Sequence, residues 1–142
     1  MNVRIQFDDN LIELSVLERA PRGVPNEGDV HVSAQVNLGK FSAFHKSVWL
    51  EEPVLNGFIN QLSTLELTRK GVATLEACSP EDFRLEIRSR DSLGHLVVEI
   101  SLCQYQYSGP TYWPNKLSGG FEIDPCSIKS VLDDFKRLHA GG

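Results

Sequence analysis

The chain has 142 residues, a formal charge of −5, 41% hydrophobic and 23% charged residues. That length suits one domain, residues 1–142, with a core large enough to fold without disulfides or metal. The acidic balance argues against a nucleic-acid binder, which needs clustered Lys and Arg for phosphate contacts, and suits a basic protein partner. Cys78, Cys103 and Cys126 are odd in number and far apart, with no CxxC pair. Free thiols in a reducing, cytoplasmic setting are expected. The start MNVRIQFDDN lacks the apolar run of a signal peptide. No stretch approaches the roughly 18 apolar residues of a membrane span.

In chain order, Val3, Ile5 and Phe7 alternate with polar residues, as do Ile12, Leu14 and Val16 after an Asp8-Asp9-Asn10 turn. This predicts a hairpin. Ala20–Gly28, rich in Pro and Gly, reads as a loop. Val30, Val32, Ala34, Val36 and Leu38 keep strict period two, with His31, Ser33, Gln35 and Asn37 opposite. Gly39 breaks that strand, and Lys40–Trp49 returns beside it, with Phe41, Ala43 and, after a slip, Trp49 on one face. The period then changes to about 3.6: Leu55, Phe58, Ile59, Leu62 and Leu65 form a helical stripe. Glu51, Glu52 and Pro53 suit its first turn, and Gly71 its end. Gly57, inside it, is expected to permit close approach to a sheet.

Short strands follow at Val72–Cys78, Phe83–Ile87 and Leu96–Leu102. Tyr105–Asn115, with four aromatic rings and two prolines, reads as an aromatic loop, and Lys116–Asp124 as a last strand. Asp124 or Ser127 caps a second helix striped by Ile128, Val131, Leu132, Phe135 and Leu138, and the tail from His139 frays. No βαβ alternation and no repeat is visible in the sequence. The fold class expected is α+β: a mainly antiparallel, strongly twisted sheet or open sandwich of seven to eight strands, with two helices packed on one side.

Chemical motifs are sparse. The histidines 31, 45, 95 and 139 have no metal-ligand spacing, and neither a nucleophile elbow nor a phosphate-binding loop occurs. Gly119-Gly120 reads as a turn. Neither catalytic residue, metal nor cofactor is assigned. Of the thiols, Cys103 is the one to inspect, on a strand face turned from the core. Two surfaces are candidates for binding a protein. The first is acidic: Asp8, Asp9, Glu13, Glu18, Glu27, Asp29, Glu51 and Glu52, forming one face if the first hairpin lies near the first helix. The second is aromatic: Tyr105, Tyr107, Tyr112 and Trp113, residue types that bury large area with few rotors.

Gly39, Phe41 and Phe44 lead to Trp49-Leu50, a helix carrying Leu55, Phe58, Leu62 and Leu65, then Leu93-Gly94-His95 and Val97-Val98-Glu99, and a closing helix. In element order, from about Leu11 to Leu138, this arrangement resembles the WapI-type immunity proteins and allied small bacterial domain families. The chain departs from the family pattern in longer segments at Ala20–Gly28 and Tyr105–Asn115. The resemblance implies a non-enzymatic protein that binds and blocks a toxin of its own lineage. A nuclease toxin has a basic cleft, which an acidic inhibitor reaches quickly. Two other classes stay open: a small-ligand protein or enzyme using a pocket between sheet and helices, lined by His31, Ser33, Gln35 and Asn37, and a structural subunit docking through the aromatic loop.

Overall fold

The computed structural model describes residues 2–141. Four strands come first: β1 (Asn2–Phe7), β2 (Asn10–Arg19), β3 (Val30–Leu38) and β4 (Phe41–Leu50). Helix α1 (Glu52–Thr68) follows. The pattern then recurs as β5 (Val72–Glu76), β6 (Phe83–Ser89), β7 (Leu96–Ser108), β8 (Thr111–Ile123), a 3₁₀ turn at Pro125–Ser127 and helix α2 (Ile128–Ala140). Each run of strands is an antiparallel four-stranded meander, in the orders β1-β2-β3-β4 and β5-β6-β7-β8. The architecture is therefore α+β, with two open sheets and two helices.

The chain carries a ββββα unit twice, although no sequence repeat announces it. The helices show why. The buried positions of α1 are Leu55, Phe58, Ile59, Leu62 and Leu65; those of α2 are Ile128, Val131, Leu132, Phe135 and Leu138. The spacing is the same while almost every residue differs. Only the pattern of burial is repeated, and packing tolerates such volume-adjusted exchange.

The two halves are interlocked. Helix α1 packs against β5 of the second sheet, and α2 against β1 of the first. The helices meet through Phe58 and Phe135, edge to face at 4.8 Å between ring centroids. Both sheets and both helices contribute to one cluster of buried side chains, from Val3 and Ile5 to Phe135 and Leu138. The outer strands that the helices cover are also capped. The Arg4 N–H donates to Asp134 Oδ2 at 3.3 Å, and the Thr74 N–H to Gln61 Oε1 at 3.0 Å. Gln61 directly precedes buried Leu62, and Asp134 directly precedes buried Phe135. The two halves therefore satisfy an exposed sheet edge in the same way.

Several local expectations are corrected. Trp49 is not a core residue: a bulge shifts the register of β3 and β4 between Val32 and Ala34. Val48 and Leu50 take the core positions instead, while Phe41 is 73% exposed. Helix α1 ends at Thr68, and Arg69 rather than Gly71 takes the left-handed cap, at φ 59° with its N–H on Leu65 O. A Cβ on Gly57 would meet nothing within 4 Å, so this glycine faces solvent and not a sheet. Tyr105–Asn115 is no loop. It belongs to a long hairpin of paired strands, closed by Gly109-Pro110. Gly109, at φ 60°, occupies the first turn position, where a hairpin needs glycine. Gly119 and Gly120 lie inside β8, not in a turn. His139 belongs to α2 and bonds Glu52. Among the described residues, no helix is long and apolar enough to cross a membrane.

Candidate functional site

The acidic residues divide into two groups. Asp8 and Asp9 are exposed in the turn joining β1 and β2. Asp8 has a positive φ of 53°, a conformation that Asp tolerates better than most residues. Glu51 and Glu52 sit where β4 passes into α1, at the other end of the first sheet. The ten-residue length of β2 lies between these ends, roughly 30 Å at strand rise. The single face considered from sequence is therefore two separate patches. Between them Glu13 stands 3.7 Å from the Arg4 guanidinium, which offsets its charge, and Glu18 3.3 Å from His31 Nδ1.

The patch at the start of α1 is knitted together. Glu51 provides no side-chain cap, but Asp29 reaches in from the preceding loop and accepts the Glu52 N–H at 2.9 Å. The sequence pointed to Glu51 and Glu52 and missed this distant cap, because nothing local encodes it. Glu52 Oε1 also lies 3.0 Å from His139 Nε2, tying the start of α1 to the end of α2. Cys78 lies beside Glu51; burial, then the Glu51 and Asp29 charges, pushes its thiol pKa up. That opposes thiolate formation and makes Cys78 a poor nucleophile. Cys103, by contrast, is buried.

The aromatic residues are brought together, though on opposite faces of one hairpin. Residues 103–108 of β7 and 111–116 of β8 pair with each other beyond Leu102, the last position paired to β6. Tyr107 lies across from Tyr112, and the Tyr105, Tyr107 and Tyr112 rings group at 5.5–6.4 Å between centroids. Trp113 lies across from Gln106, one residue out of phase, and so faces the other way. Tyr107, Tyr112 and Trp113 are 72%, 56% and 50% exposed. The Tyr105 hydroxyl donates to the Glu81 carboxylate, which raises the phenol to about 12 because losing the proton would set two anions together.

On the Trp113 side the hairpin crosses β4. The Gln104 side-chain amide donates to Phe44 O at 2.9 Å. A groove of about 340 Å³ opens there, walled by Phe41, Ala43 and Phe44 from β4 and by Leu102, Asn115 and Leu117 from the hairpin. His45 closes its inner end. Its Nδ1 accepts the Ser47 N–H at 3.2 Å, and its Nε2 lies 3.9 Å from Asp82. Burial lowers the His45 pKa, opposed by the Asp82 charge. Gly119 lets the sheets approach, since a Cβ there would stand 2.8 Å from Leu38 Cδ1. The exposed Phe41 and Phe44 escaped the sequence reading, which used Phe41 as a core position.

The polar stripe of β3 turns away from the helices. His31 stacks on Trp49 at 4.6 Å and hydrogen-bonds Ser47 at 2.7 Å. Gln35 and Asn37 bond each other. These residues therefore line no space between sheet and helices; shared core side chains occupy that space. On the outer face of the second sheet, a second groove of about 540 Å³ runs over Gly119 and Gly120. Its arginines are already paired, Arg88 with Glu99 at 2.8 Å and Arg90 with Glu122 at 2.7 Å. Among the described residues, no group of three His, Cys, Asp or Glu side chains could hold a metal ion.

The model of the immunity protein WapI-like family matches residues 4–140 of the chain. No curated protein and no solved structure matches it.

Proposed function

The chain belongs to the immunity protein WapI-like family, and on that premise we propose that it binds a toxin made by its own lineage and blocks it. The family match, extending over residues 4–140, is the observation that carries this reading. The protein acts by occupancy and not by catalysis, in the cytoplasm, as one domain of residues 1–142. The charge of −5 supports a basic toxin, a nuclease above all. Attraction between opposite net charges speeds encounter, and its effect weakens as salt rises. The exposed Asp8, Asp9 and Glu51 serve that steering, with half-buried Glu52 beside them, its carboxylate held by His139. Glu13 and Glu18, each beside a basic group, contribute less. Tyr107, Tyr112 and Trp113 supply the area that makes a complex last, with Tyr105 holding the hairpin through Glu81.

The test is co-expression with the toxin domain encoded beside it. Cells making both are expected to grow, and cells making the toxin alone to stop. Arrest of cells that contain the protein in soluble, folded form would overturn the reading. Association measured at low and moderate salt then tests the basic character of the toxin. An on-rate unaffected by salt would count against a steered, basic partner.

A further inference from the structure

The two sheets have outer strands β1, β4, β5 and β8, and they are not treated alike. Strand β1 is covered by α2 and capped by Asp134; β5 is covered by α1 and capped by Gln61. Strand β8 carries Pro114, which has no N–H to offer a neighbour. Strand β4 is covered by no helix along Phe41–Phe44, and its bulge lies beyond this stretch. The two-residue turn Gly39-Lys40 pairs Leu38 with Phe41, so the main-chain groups of Ser42 and Phe44 point away from β3. One of them, Phe44 O, already accepts a hydrogen bond from the Gln104 side chain. Phe41 and Phe44 stand beside this edge, 73% and 56% exposed. The groove between β4 and the β7–β8 hairpin opens along it.

We propose that the outward edge of β4, through Ser42 and the Phe44 N–H, with the adjoining groove, docks an extended segment of the partner protein that carries acidic side chains beside apolar ones. Main-chain pairing to an open edge supplies affinity, and pockets for alternate side chains supply selectivity. Charge identifies the occupant. Lys40 and Lys46 bracket the edge, Lys116 lines the groove, and all three are exposed. None of them makes an ion pair among the described residues. A second copy of the chain fits badly. Antiparallel pairing of two such edges through Ser42 and Phe44 brings Lys40 in the turn of one copy toward Lys46 in the bulge of the other, and like charges brought together repel. An acidic strand meets attraction at the same positions.

The proposal rests on the reading of a toxin partner, and the test separates the two. The toxin domain encoded beside the protein is titrated into wild type, Ser42→Pro and Lys40→Glu, with amide hydrogen exchange followed in the wild-type complex. Proline at residue 42 deletes an outward N–H and no bond to β3, so its melting temperature should match wild type. Lys40→Glu changes an exposed turn and serves as the control for folding. Expected are a loss of at least about tenfold in affinity for both variants, and slowed exchange at Ser42 and Phe44 in the complex. A toxin that wild type does not bind overturns the function and the docking site together. A toxin that all three bind equally, with exchange at Ser42 and Phe44 unchanged, overturns the docking site alone. Exchange at these amides that slows with protein concentration in the absence of toxin overturns it in favour of self-pairing.

Discussion

Gly57 is the clearest place to gain stability. It lies inside the 17-residue helix α1, on the solvent side, one residue before buried Phe58. A methyl group added there would touch nothing within 4 Å. Gly57→Ala therefore changes helix propensity and little else, a gain of about 1 kcal/mol from reduced freedom of the unfolded chain. For 142 residues, an unfolding entropy of about 2.1 cal/mol/K per residue converts this to a rise in Tm of about 3 °C. Thermal and urea unfolding should both report it, with a higher midpoint and an unchanged m-value. An unchanged or lower Tm would refute the reasoning. It would mean that the outward face of α1 is occupied, or that the helix bends at this residue.

Gly120→Ala should do the reverse. Its Cβ would stand 2.4 Å from the Val98 carbonyl oxygen, so β7 and β8 must part, at a cost of about 2 kcal/mol or more. Gly119→Ala meets only the mobile end of Leu38 and should cost less; equal losses in urea titrations would reject this distinction. The lowered pKa of His45 means that the unfolded chain, titrating at the ordinary 6.5, binds this proton first. Stability should therefore fall as pH drops below about 6.5, until the folded-state pKa is passed. His45→Asn, which keeps an acceptor for the Ser47 N–H, should flatten that part of the pH–stability curve; an unaltered slope would exclude His45. In a spectrophotometric titration one of the three tyrosines should ionise late, near 12, and Glu81→Gln should bring it down toward the ordinary range. A late tyrosine that survives this change would not be Tyr105.

Period carries most of what the sequence reveals. Strands β1 to β4 and both helices follow from alternation and from the three-and-four stripe, because each element hides one face in a shared core. Trp49 misleads for the same reason. The bulge in β4 inserts a residue, and every later side chain changes face. The aromatic hairpin misleads because two prolines, one of them in a Gly-Pro pair, suggest a loop, whereas Pro114 has a free-edge position in which its missing N–H costs nothing. The candidate site is legible in part. Residue type singled out Tyr107, Tyr112 and Trp113, but their exposure depends on the hairpin extending past the last pairing with β6. The division of the acids depends on strand length and direction, and the open edge of β4 depends on which strands lack neighbours. Both are properties of the assembled sheets.

The cross-packing of the helices bears on the order in which the molecule can be completed. During synthesis the first four strands emerge with their own helix, but α1 rests on β5, which has not yet been made. The lid for β1 is α2, and its cap, Asp134, lies 130 residues after Arg4. Until the last turn leaves the ribosome, the nascent first sheet shows both a bare edge and half of an apolar interior. A chain cut before Ile128 would keep that exposure for good, and should be found with chaperones or in aggregates instead of in solution.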